Sequence, residues 1–217
     1  MPAALDPSTD DTDPAAQALA APRKRPKPGE RRVQILQALA QMLEQPGAER
    51  VTTAALAARL SVSEAALYRH FASKAQMFEA LIDFIESSLF GLIQQIGERD
   101  PAGPARAARI VAMVLQFGEK NPGMTRVMVG DALVFENERL QQRMNQLFDK
   151  LEAALRQCLR DGAARDDGAL APDADAQVAA STLTAFAAGR LQRFARSGFR
   201  RAPSEHLDAC LARILLF

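Results

Sequence analysis

From residue 30 onward, apolar residues recur every three to four positions, and strand-like alternation is absent. The pattern predicts a first helix over 29–45, with Val33, Leu36, Leu39, Ala40 and Leu43 on its inner face and Gln45-Pro46-Gly47 as its stop. Two short helices follow, over 53–60 and 64–70, with Thr52 and Ser63 placed as N-caps. A long helix begins after Ser73, where Ser73 and Gln76 have the spacing of a capping box, and runs to Ile96. Its apolar stripe is Met77, Phe78, Leu81, Ile82, Ile85, Leu89, Leu92, Ile93 and Ile96. Four further helices are expected over 104–119, 124–134, 137–161 and 173–197. Pro104 opens the first of these, "NPG" at 121–123 stops it, and 161–172 reads as a loop. Leu140, Met144, Leu147, Phe148, Leu151, Leu155, Cys158 and Leu159 point inward from one, and Val178, Leu183, Phe186, Leu191 and Phe194 from the next. A last helix over 204–216 carries Leu207, Leu211, Ile214 and Leu215. The fold class is therefore all-α, with about nine helices.

The helices at 53–60 and 64–70 are too short to be stable alone. Joined by Ser61-Val62-Ser63, they have helix-turn-helix spacing. Leu56, Ala57, Leu60, Val62 and Leu67 supply the anchors, and Ala57 is small enough for a close crossing. The outer face of the second helix then fits a DNA major groove. Ser63, Glu64, Ala65 and Ala66 would approach base edges; Thr52, Thr53, Tyr68 and His70 suit phosphates. Lys74 adds a cation beside the free N–H groups of the long helix. Each has a plainer reading: Tyr68 as a half-buried aromatic, His70 as structural, Glu64 as a complement to the helix dipole, Arg69 as DNA-facing or as a surface ion-pair partner.

Charge sharpens the picture. The net charge is +1, but residues 1–21 hold four Asp and no base, residues 22–78 hold ten Lys/Arg against four Glu, and the remainder is nearly balanced. Positive charge gathers around the two short helices, as a polyanion partner requires. The chain divides into a disordered, acidic then basic arm (1–28), a helix-turn-helix DNA-binding domain (29–76) and a helical dimerisation and partner-binding domain (77–217). The basic run 22–32 ends in Arg31 and Arg32, and reads either as a solvated linker or as an arm that reaches phosphates or a minor groove. One short recognition helix gives limited affinity, so a symmetric homodimer on palindromic duplex sites is expected. Phe186, Leu191 and Phe194, with Leu207, Leu211 and Ile214, are its candidate interface.

Enzyme chemistry has little support. There are two histidines, no phosphate-binding glycine loop, and no metal-ligand spacing around Cys158 or Cys210, so no catalytic residue, metal or cofactor is expected. No apolar run is long enough for a membrane span, and the acidic, proline-containing start is unlike a signal peptide. A cytoplasmic protein is the expectation.

The stretch "TTAALAARLSVSEAALYRHFASKAQMF" resembles the DNA-binding domain of the TetR family. Ser61 departs from the glycine usual in that turn; a serine held at positive φ costs about 1 kcal/mol. Beyond it, "FGEKNPGMTRVMVGDALVFENERLQQRMNQLF" resembles the SlmA-like nucleoid occlusion factors within that family, over roughly residues 30–215. The resemblance implies a protein that binds scattered chromosomal sites and, when DNA-bound, antagonises the division protein FtsZ. It implies an FtsZ groove at Phe84, Leu92, Met113, Gly118, Lys120 and Asn121. Leu92 stands where the family has Arg, and Lys120 replaces Arg, losing the bidentate fork. Phe84 lies off the apolar stripe, so it points outward or packs on the helix at 137–161. The alternative is a ligand-responsive TetR-type repressor, which needs a polar-lined cavity in the helical body; with no Trp and one Tyr, few residues would line it.

Overall fold

The computed structural model describes residues 29–45, 51–166 and 173–215. The expected arm at 1–28 lies outside the described residues. Among the described residues the α-helices are α1 (Glu30–Leu43), α2 (Thr53–Arg59), α3 (Glu64–Tyr68), α4 (Lys74–Arg99), α5 (Pro104–Lys120), α6 (Pro122–Met128), α7 (Glu138–Asp166), α8 (Asp173–Arg196) and α9 (Leu207–Leu215). A 3₁₀ turn, Asp131–Leu133, joins α6 to α7.

The helical body is built around α5, which packs against α4, α7 and α8. Its interior is closely filled: Ile85, Val111, Val114, Leu115, Leu147 and Leu183 are at most 1% exposed. Gln177 on α8 links Glu152 and Arg156 on α7, at 2.7 and 3.0 Å, and so pins the largest helix pair. Cys158 is buried in the same layer, its thiol 3.5 Å from the Gly103 carbonyl, and burial pushes its pKa up. A thiol held neutral is a poor nucleophile.

Two close crossings set the body's shape. A Cβ on Gly162 of α7 would come 2.3 Å from the Gly103 Cα at the start of α5. A Cβ on Gly123 of α6 would come 1.9 Å from the Ala40 carbonyl oxygen on α1. In both places backbone meets backbone, which only glycine permits. The second crossing locks the first three helices to the body.

Several boundaries differ from the sequence pattern. Helix α3 ends at Tyr68, leaving His70 in the turn beyond it. The motif "NPG" does not end in a loop: Asn121 alone breaks the path, Pro122 starts α6 at once, and Gly123 lies inside that helix. Both α4 and α7 run longer than expected, and α9 starts at Leu207, after His206 at φ 54°. Val33 and Val178, expected inward, are 53% and 62% exposed, because Ile35 and Ala38 on α1 and Ala176, Ala179 and Ala180 on α8 take the inner positions.

Candidate nucleic-acid interface

Helices α2 and α3 form a compact corner. Leu56, Ala57 and Leu67 are buried at the crossing, with Leu60 and Val62 packed against them. Both helices begin on the expected caps: Thr52 Oγ1 accepts from the Ala55 N–H at 3.1 Å, and Ser63 Oγ from the Ala66 N–H at 3.3 Å. Between them Ser61 adopts φ 52°, the left-handed geometry the turn requires, with no glycine to supply it. Ser73 caps α4 through the Gln76 N–H at 3.2 Å. The Gln76 side chain accepts from the Ala72 N–H at 2.9 Å, one residue before the position a capping box uses.

The face of α3 turned away from the corner carries Ser63, Glu64, Ala65, Tyr68 and Arg69, all exposed; Ala66 and His70 are half-buried. Tyr68 is 45% exposed, which suits both a half-buried aromatic and a ring open to a phosphate. Arg69 makes no ion pair among the described residues. Glu64 and Thr53 are tied to one another, the Thr53 hydroxyl donating to the Glu64 carboxylate at 2.6 Å. That bond joins the first turns of α2 and α3 and leaves Glu64 one oxygen for any other donor.

Three cations behave differently from the sequence expectation. Arg32 is not the loose end of an arm. Its guanidinium donates to the His70 carbonyl and stacks 4.0 Å from the Phe71 ring centroid, which clamps α1 against the end of the corner. Arg31 donates to Gln34 along its own helix at 2.9 Å. Lys74, expected as a free cation at the start of α4, is ion-paired with Glu136, just after the 3₁₀ turn. The Glu136 side chain is only 10% exposed, so the pair ties the start of α4 to the segment before α7. No sequence signal marks Glu136, because it lies 62 residues away and only the fold brings it to Lys74. Glu136→Gln is expected to free Lys74 and raise affinity for duplex DNA about threefold to tenfold, by removing a carboxylate that neutralises a cation at the start of α4. Titration of labelled duplex at two salt concentrations reads this; weaker binding would mean that Glu136 instead holds Lys74 in place.

The candidate partner residues separate into two groups. Phe84 is 49% and Leu92 37% exposed on the outer side of α4, with Gly91 beside Leu92 open to solvent, and Lys120 is exposed at the end of α5. Phe84 is therefore about half exposed and stands outside the buried stripe of α4. Around it the acids of α4 are met by cations of α7: Arg143 bonds Asp83 at 2.7 Å and Glu86 at 3.3 Å, and Lys150 also pairs with Glu86. The hydrogen bond from Lys150 holds the Glu86 carboxyl below its usual pKa, and the bond to Asp83 raises that of Arg143. Met113 is half-buried, and the Asn121 side chain donates back to the Phe117 carbonyl at 2.8 Å. Gly118 is buried: a Cβ there would strike Leu191 at 2.4 Å, so it spaces α5 from α8 and offers no contact surface.

The expected dimer residues need a similar correction. Leu191, Phe194, Leu207 and Leu211 are between 0% and 7% exposed within one subunit, where they join α8 and α9 to the body. Phe186 is half-buried under the Arg190 guanidinium, and Ile214 is half-buried. The exposed face of α8 is instead Val178, Thr182, Ala185 and Gly189.

A capped two-helix corner at the start of an all-helical chain, with its outer face bare and a long fourth helix leading into a separate helical body, defines a TetR-type bacterial regulatory protein. The tetR-family DNA-binding model matches residues 35–81, and a tetracycline-repressor-like C-terminal domain of SlmA type matches residues 104–214. The chain is 51% identical over 180 residues to the nucleoid occlusion factor SlmA of Citrobacter koseri, covering 82% of this chain and 90% of that protein. It is 48% identical over 179 residues to SlmA of Idiomarina loihiensis, with the same coverage. The chain belongs to the SlmA-like family of nucleoid occlusion factors. Solved structures of the same fold include the fatty acid degradation regulator FadR of Bacillus halodurans (TM-score 0.69, 14% identity, 88% of this chain and 97% of that one). The MbdR regulator of Azoarcus sp. CIB is another (TM-score 0.68, 17% identity, 84% and 96%).

Proposed function

We propose that this nucleoid occlusion factor binds palindromic duplex sites as a homodimer and, while bound, antagonises FtsZ assembly so that no septum closes over the chromosome. Ser63, Ala65 and Ala66 of α3 meet base edges, with Glu64 accepting from a cytosine amine through its second oxygen. Thr52, Thr53, Tyr68, Arg69 and His70 contact phosphates. Arg31 and Lys74 lie near the phosphate backbone, and Arg32 acts mainly by holding the corner in place. The two subunits pair through Val178, Thr182, Ala185 and Gly189, whose spacing suits a closely packed helix pair.

The observation that carries the partner half of this reading is the exposed apolar surface on α4. Phe84 and Leu92 are the exposed large apolar residues of a helix whose others are buried or partly buried. That surface is distinct from the outer face of α3, so one subunit can hold DNA and a partner segment together. With the exposed Lys120, it suits a partly acidic, partly apolar peptide such as a flexible FtsZ tail. The repressor alternative is less favoured, because relatives at about half identity over most of the chain are nucleoid occlusion factors.

Sedimentation of FtsZ polymers tests the reading. Protein with cognate duplex is expected to lower polymer yield, and protein with non-cognate duplex to do so much less. Phe84→Ser is expected to abolish the effect while leaving DNA affinity within about twofold, since it removes an anchor on a surface that DNA does not touch. Equal polymer yield with and without cognate duplex would refute the partner role.

A further inference from the structure

The charge left unused by the site above lies at the far end of α8. Arg190, Arg193, Arg196, Arg200 and Arg201 fall within twelve residues, and the first acid after them is Glu205. Arg190 is engaged with the Glu205 carbonyl and the Cys210 sulfur, at 2.9 and 3.1 Å. Arg193, Arg196, Arg200 and Arg201 are exposed, and none has an ion pair among the described residues. Elsewhere in the body, Arg109, Arg139, Arg143 and Lys150 each sit on an acid. Cations in the last turn of a helix complement its dipole, which accounts for Arg193 and Arg196. It does not account for Arg200 and Arg201, which lie beyond the helix.

The turn that presents them is rigid. Ser197 Oγ accepts the backbone N–H groups of Arg200 and Arg201, at 3.1 and 3.0 Å. Gly198 and Phe199 both hold positive φ, 62° and 63°. A bulky residue in that region is strained and persists only where its surroundings hold it. Phe199 is held by the Phe194 ring, 5.2 Å away between centroids, and by the Arg126 guanidinium of α6, at 5.7 Å. The Arg200 Nε donates to the Ser197 carbonyl at 2.9 Å, which ties that side chain to the turn, and both arginines remain exposed.

Position identifies what they meet. Arg126 lies three residues after Gly123, which touches α1 of the reader domain, so the turn sits where the body joins that domain. Arg193 and Arg196 also continue the exposed α8 face of Val178, Thr182, Ala185 and Gly189. In a dimer formed through that face, two copies of the cluster come together at one end of the interface, between the reader domains. Like charges brought together there repel unless a polyanion lies against them. Guanidinium forks match phosphate oxygens in pairs.

We propose that Arg193, Arg196, Arg200 and Arg201 form a second DNA-binding surface that holds duplex phosphates, without reading sequence, between the two reader domains. This rests on the DNA-bound dimer described above. It adds affinity to cognate and non-cognate duplex alike and steepens the salt dependence.

The test is fluorescence anisotropy with the full-length R193Q/R196Q/R200Q/R201Q variant, and with R200Q/R201Q alone in case the fourfold change disturbs pairing. Each is checked for dimer mass by light scattering. The probes are a duplex selected by the parent protein and heterogeneous non-cognate duplex. The fourfold variant is expected to lose about tenfold to 100-fold in affinity for both probes, and its slope of log K against log salt should fall by about 2 to 4 per subunit. The ratio of the two affinities stays that of the parent. Unchanged slopes in both variants would overturn the proposal, as would a loss confined to the selected duplex. Loss of FtsZ antagonism with DNA slopes intact would overturn it too, by assigning the cluster to a protein partner. An intact response in the arginine variants beside a lost one in a Tyr68/Arg69 variant would sink this inference and leave the reader-domain reading standing.

Discussion

Gly123→Ala is expected to be the most destabilising single-methyl change in the chain. The added Cβ meets the Ala40 carbonyl oxygen at 1.9 Å and its carbon at 2.8 Å, both backbone atoms that cannot rotate away. Helix α6 must move off α1 by more than an ångström, and the contact between reader and body opens with it. Overpacking of a well-filled core costs about 1–3 kcal/mol, and a clash against fixed backbone belongs at the top of that range. At about 2–4 °C per kcal/mol for a chain of this size, the midpoint of thermal unfolding should drop by about 6–12 °C. Gly91→Ala is the control: nothing lies within 4 Å of a Cβ at that position in α4, so helix propensity should leave the protein unchanged or about 1 kcal/mol more stable. Similar midpoints for the two variants would mean that α1 and α6 do not cross as closely as the structure has them.

The largest functional effect should come from the bare face of α3. Tyr68→Ala with Arg69→Glu is expected to reduce affinity for selected duplex by about 100-fold or more, through loss of two phosphate contacts and reversal of one charge. The salt slope should flatten by about 2 per subunit. Stability should change little, because Tyr68 is 45% exposed and Arg69 is exposed with no ion-pair partner among the described residues. Full binding by a folded double variant would show that α3 does not face the groove.

Much of this was legible from residue order. The caps at Thr52, Ser63 and Ser73 are local, since each side chain satisfies an N–H three residues on, and all three fall where the pattern put them. The buried stripe of α4 from Met77 to Leu89 follows from a period of 3.6, which depends on nothing outside the helix. Leu92, Ile93 and Ile96 continue the same period, yet Leu92 is exposed and the other two are only partly covered. Periodicity states which residues share a face; it does not state what lies opposite.

That distinction explains the corrected residues. Leu191, Phe194, Leu207 and Leu211 have the apolar pattern an interface needs, and the same pattern serves equally well to hold α8 and α9 onto their own body. Gly118 looks available as a position and is closed by Leu191, 73 residues further along the chain. Lys74 looks free until Glu136 arrives beside it.

The sequence by itself determined the class of fold, the existence and capping of the DNA-reading corner, the basic character of that region and the family. The first three follow from interactions within a few residues, or from composition, and survive any arrangement of the helices; the family was legible as a resemblance of motifs. Tertiary structure alone decided which cations are already paired, which apolar residues are spent inside one subunit, where backbone meets backbone at Gly123 and Gly162, and that exposed arginines sit on a strained turn after α8. Those outcomes depend on contacts between residues far apart in the chain, whose mutual distance no local pattern encodes.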